Sequence, residues 1–157
     1  METTDAVIRA AFPEQPVPKT FFAVARPQQD DAWLELACRI EGRVWTSVSL
    51  LDWRMTGGSP SANRLYMIPE TFAYYVPSFL VGAISEPGFR DLAYEAILPH
   101  NRYRVPRGEW WARFESAFTG PQRTALRAFL AFQRKAASFT FDMVDEELVG
   151  TAEKIWA

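Results

Sequence analysis

Apolar and polar positions along the chain alternate with helical rather than strand spacing. In TTDAVIRAAF, Val7, Ile8, Ala11 and Phe12 fall on one face. Thr3 or Thr4 is placed to cap that helix, Asp5 favours its N-terminus, and Pro13 follows its apolar end. PEQPVPKT is then an extended, proline-rich connector. In QQDDAWLELACRIEG, Trp33, Leu36, Ala37 and Ile40 repeat at i, i+3, i+4 and i+7, and Gly42 closes the segment. TSVSLLDWRM predicts a short third helix, with RVWTSVSL as the best rival strand. TGGSPSANR reads as the strongest loop of the chain, with two glycines, a proline and small polar residues.

Beyond that loop, ETFAYYVPSFLVGAI keeps apolar residues in helical register through Phe72, Tyr75, Val76, Phe79, Leu80 and Ala83, yet carries Pro77. An interior proline removes one helical hydrogen bond and clashes with the carbonyl four residues back, at a cost of about 3 kcal/mol. Either the helix kinks near 73–77, or it ends near Tyr75 and another starts. The unbroken register favours the kink, with Pro69 suited to the first turn. Ser85 is expected to cap EPGFRDLAYEAIL, which stops before Pro99. EWWARFESAF is a further short helix. Thr119 and Gln122 have the spacing of a capping box, ahead of Ala125, Leu126, Phe129, Leu130 and Gln133. The last helix carries Phe141, Val144, Leu148, Ala152 and Ile155 on one stripe, with most of its acids off it. The pattern predicts an all-α fold, a single irregular multi-helix domain spanning residues 1–157 around a Pro-kinked central helix.

Two flanking segments agree in order with this central stretch. IPETFAYYVPSFL resembles the central motif of an uncharacterised bacterial domain-of-unknown-function family, through Pro69, Glu70, Phe72, Tyr74, Tyr75, Pro77 and Leu80, with Phe79 as the aromatic variant. VIRAAFPEQPVP is similar to the family's N-terminal helix and its prolines, and FTGPQRTALRAFLAF to a later helix of it. Ala73 stands where an arginine is usual, Gly120-Pro121 is an unusual helix start, and the acidic final helix is outside the pattern. The resemblance implies a helical fold and a bacterial source, and it implies no activity.

Composition narrows the chemistry. Of the 157 residues, 48% are hydrophobic and 23% charged, a globular balance able to bury a core without metal or disulfide staples. Aromatics make up 15%, including six Trp, so rings dominate the expected core and their N–H and O–H groups need partners there. The single cysteine, Cys38, reads as a small core residue in a reducing compartment. No signal peptide and no membrane span are expected, since the longest apolar run, 71–84, is short of the roughly 20 residues a bilayer requires. A cytoplasmic location follows as an expectation.

No Walker loop, dinucleotide fingerprint, nucleophile elbow or metal-ligand spacing is present, so neither enzyme activity nor a cofactor is expected. His100 is the only histidine and sits in a Pro- and Arg-rich loop. Charge is unevenly placed. Residues 100–135 hold eight basic and two acidic residues, whereas 136–157 hold one basic and five acidic. Two binding readings follow. In the first, Asp142, Asp145, Glu146 and Glu147 form an acidic patch that meets a basic protein partner, as an immunity or inhibitor protein meets a toxin. In the second, Arg102, Tyr103, Arg104 and Arg107 contact phosphates and bases of a nucleic acid or nucleotide. An overall pI near 5.5 disfavours the second. An internal role for those arginines, pairing with the acidic final helix or capping helix C-termini, competes with both.

Overall fold

The architecture follows from a computed structural model that describes residues 1–23, 31–102, 104–140 and 143–157, and of 138–140 and 143–145 the backbone alone. The described residues are all-α. Helices α1 (Thr4–Ala11), α2 (Asp31–Arg39), α3 (Leu50–Arg54), α4 (Pro60–Asn63), α5 (Pro69–Ser85), α6 (Arg90–Ile97), α7 (Glu109–Ser116), α8 (Gly120–Thr140) and α9 (Met143–Ile155) succeed one another in the chain. The nearest thing to a sheet among these residues is an isolated antiparallel bridge between Phe22 and Met67.

Local signals set most helix starts. The Thr3 hydroxyl accepts from the Ala6 amide at the head of α1. The capping box at α8 forms as its spacing predicts, with Thr119 N–H donating to Gln122 Oε1 at 2.9 Å and Gln122 N–H to Thr119 Oγ1 at 3.4 Å. α2 stops where Gly42, at φ +77°, takes a left-handed conformation that a side chain would strain. The rival strand RVWTSVSL instead holds a 3₁₀ turn at Trp45–Ser47, followed by Ser49, which caps α3 in a second capping box.

α5 is the central element. It stays helical from Pro69 to Ser85 straight through Pro77, so the chain does not divide there into two helices. Pro77 and ten neighbours on this helix are buried. α5 packs against α1, α3, α6 and α7, while α8 and α9 pack on each other and close the core over α1 and α6. The tight fit shows at Gly82, where a Cβ would collide with the buried Leu50 side chain, approaching both Cδ atoms at 2.9 Å. One continuous core runs from Ile8 to Trp156.

Rings fill that core, and several of their polar atoms bind groups distant in sequence. Trp45 Nε1 donates to the carbonyl of Phe12 at the end of α1, at 3.1 Å. Tyr75 Oη donates its proton to the Arg43 carbonyl beyond α2 at 2.7 Å, with the Ile40 carbonyl also close at 3.2 Å. Trp53 Nε1 donates to Ser78 Oγ at 2.8 Å, and Ser78 donates in turn to the Tyr75 carbonyl on α5. Buried donors and acceptors left unmatched cost about 1–3 kcal/mol each, so these long-range bonds fix how the elements meet.

Three expectations need correction. TGGSPSANR is not all loop: Ser59 caps, and Pro60 opens, the single-turn helix α4. Ser85 does not cap the next helix but ends α5, and a 3₁₀ turn at Pro87–Phe89 leads into α6 instead. Cys38 is exposed rather than in the core. It sits two residues past buried Leu36 and two before buried Ile40, which turns it to the opposite side of α2.

Candidate functional site

The acidic patch begins on α9. Leu148, Val149 and Ala152 face inward and are buried, with Trp156 just beyond the helix. Glu146 and Glu147 are exposed, and neither forms an ion pair among the described residues. Asp142 and the side chain of Asp145 lie outside the described residues. The helix is clamped to α8 by a two-pronged pair, Arg134 Nε and Nη2 to the Glu153 carboxylate at 2.8 and 2.6 Å. Those bonds from Arg134 hold the Glu153 carboxyl below its ordinary range, against a weaker opposing effect of burial.

The basic segment is divided by the fold. Arg102 lines a hollow of about 170 Å³ with Ser59, Ser61, Glu95, Leu98, Pro99 and His100. Arg104 lines a different and larger cavity, of about 560 Å³, between the 104–106 loop, α7 and α9. Arg107 is exposed and borders neither, and Tyr103 lies outside the described residues. Among the described residues these three arginines make no ion pair with the acidic final helix; Glu153 is taken by Arg134, and Glu115 by Arg123 at 3.7 Å. Trp110 and Trp111 are packed into the core, and Trp111 also borders the larger cavity. Trp110 is half-buried and donates to the Met67 carbonyl at 3.2 Å, and Trp111 is only 6% exposed.

The larger cavity has mixed walls. Val105, Pro106, Trp111 and Ile155 supply apolar surface, Arg104 and Lys154 supply positive charge, and Glu115 and Thr151 complete the lining. In the smaller hollow, among the described residues, Ser59 Oγ accepts from the Ala62 amide and no hydrogen bond joins His100 to Ser59, Ser61 or Glu95. No group of three His, Cys, Asp or Glu side chains able to hold a metal occurs among the described residues.

A residue that pattern reading passed over organises this region. Arg64 follows α4 and is buried. Its Nη1 donates to the Leu98 carbonyl at 2.6 Å and its Nη2 to the Glu95 carbonyl. Trp156 Nε1 donates to the Ile97 carbonyl at 2.8 Å, so one guanidinium and one indole together cap the C-terminus of α6. The Arg64 guanidinium carbon stands 5.3 Å from the Phe72 ring centre, 5.6 Å from Trp110, 5.8 Å from Phe114 and 5.9 Å from Trp111. Burial pushes its pKa down to about 10 while the Glu95 carboxylate pulls it up, and it stays charged at neutral pH. Its only sequence signal was a cation beside a loop, which ordinarily means solvent. Arg64 therefore supports from behind the same Trp111 that walls the larger cavity.

No family model, curated protein or solved structure matches the chain.

Proposed function

We propose that the chain is a non-enzymatic, cytoplasmic bacterial protein-binding domain, of the kind that inhibits or neutralises a partner such as a toxin, and that it meets a basic partner surface with the outward side of α9. The observation that carries this reading is the placement of Glu146 and Glu147. They are exposed and, among the described residues, without ion pairs, on a helix whose inward side is locked into the core by Leu148, Val149 and Ala152, with the Arg134–Glu153 clamp along the flank that Glu146 shares. Charges held outward on a rigid element speed encounter with an opposite charge and fix orientation. The resemblance of IPETFAYYVPSFL to an uncharacterised bacterial family bears only on the bacterial source and the helical fold. The nucleic-acid reading has less support, because Arg102 and Arg104 line separate hollows.

The test is to recover a stoichiometric complex from the source cell, identify the partner, and follow association with the purified partner at several salt concentrations. Glu146→Lys combined with Glu147→Lys is expected to slow association by about tenfold at low salt and to flatten its salt dependence. Association rates that do not respond to this double reversal refute the assignment of the surface. Failure to recover any stoichiometric partner counts against the function itself.

A further inference from the structure

We propose that the cavity between the 104–106 loop, α7 and α9 is a binding site for a small organic anion, one carboxylate or phosphate group on a flat apolar body. Its volume, about 560 Å³, is within the range of small-molecule sites. The lining divides into two kinds of surface. Arg104 and Lys154 bring positive charge from a loop and from the last turn of α9, and neither makes an ion pair among the described residues. The one carboxylate among the described lining residues, Glu115, is already drawn toward Arg123, whose Nη2 also donates to the Glu115 carbonyl at 2.7 Å. Two like charges facing one space repel each other, and a bound anion removes that repulsion. Arg104 offers a planar fork for a carboxylate or phosphate, and Lys154 a mobile point charge.

The second surface is apolar and partly fixed. The Trp111 ring is held from behind by Phe114 at 5.3 Å, by Trp156 at 6.1 Å and by the Arg64 guanidinium. A ring whose position is set in advance loses little entropy when a ligand settles against it. Val105, at 84% exposure, and Pro106 stand on the loop side, with Ile155 on the helix side. Val105 is a large apolar side chain kept in water at the border of this cavity, and a ligand body placed there covers it. This site is independent of the outward carboxylates of α9, so either assignment can fail without the other.

The experiment titrates the full chain with benzoate, phenyl phosphate and inorganic phosphate, by calorimetry and by the chemical shift of the Trp111 indole signal. At least one of the two aromatic anions is expected to bind with 1:1 saturation, and the tighter of the two identifies the headgroup. Phenyl phosphate should bind more tightly than inorganic phosphate, because only it uses the apolar wall. Arg104→Ala combined with Lys154→Ala should weaken binding by about tenfold or more. Arg102→Ala, in the other hollow, should leave it unchanged. Both cations are exposed and outside any ion pair among the described residues, so the double variant should keep the native thermal transition, which is checked in parallel. The proposal is overturned if neither aromatic anion saturates, if the double variant binds as tightly as the native chain, or if inorganic phosphate matches phenyl phosphate.

Discussion

Replacing Arg64 by Met tests whether a buried cation really holds this fold together. The substitution keeps a long, flexible side chain and removes the charge and the fork of donors. Two charge-assisted hydrogen bonds, to the Glu95 and Leu98 carbonyls, are lost. Such bonds contribute about 1.5–3 kcal/mol each. The surrounding rings of Phe72, Trp110, Trp111 and Phe114 add about 1–2 kcal/mol of cation–π attraction. Against this stands the cost of burying the charge. A fall in pKa from the ordinary arginine range to about 10 corresponds to roughly 3 kcal/mol against the charged form. The balance leaves Arg64 net stabilising by about 3 kcal/mol, and the carbonyls orphaned at the end of α6 act in the same direction. Urea unfolding at neutral pH should therefore show a loss near that size, or a Tm lower by about 6–12 °C for a domain of this length. Arg64→Lys should not restore the loss, because an ammonium keeps the charge without the fork that spans two carbonyls. If Arg64→Met is as stable as the native chain, or more so, desolvation outweighs the bonds and the capping argument fails. If Arg64→Lys is fully stable, charge alone suffices and the geometry is irrelevant.

Two further outcomes follow from the packing and from α9. Gly82→Ala should destabilise by about 1–3 kcal/mol, seen as a lower urea midpoint at unchanged slope, because the new Cβ meets the buried Leu50 side chain; an unchanged midpoint would show that Leu50 moves aside freely. Glu153→Gln should lower the urea midpoint at neutral pH but not in acid. The hydrogen bonds from Arg134 depress the folded-state pKa of Glu153 below its ordinary 4.5, so its contribution is present above 4.5 and is lost as pH falls through the folded value. Native and variant curves that stay equally far apart in acid would show that the ion pair is not the cause.

The register of the helices was settled by the sequence alone. Ala125, Leu126, Phe129, Leu130 and Gln133 recur at helical spacing, and all five are buried. Thr3 at α1 and the Thr119–Gln122 box at α8 were equally visible, because a cap is made by groups three residues apart. Even the persistence of α5 through Pro77 was legible, since apolar residues kept their period on both sides. The acids of the last helix were also placed correctly off its apolar stripe at Glu146 and Glu147, which are exposed.

What the chain order could not reveal depends on groups distant in sequence. Arg64 reaches a carbonyl 34 residues away, and Trp156 one 59 residues away, so no local pattern marks either as the cap of α6. Cys38 turned outward because two neighbouring positions took the core, a choice that small residues do not announce. Arg102 and Arg104 are nearly adjacent in the chain, yet they line different cavities because α4, α6, α7 and α9 converge around them. Periodicity and capping are interactions between near neighbours and can be read along a string. Cavities, buried charges and the division of a basic segment arise only when separated elements compete for the same space.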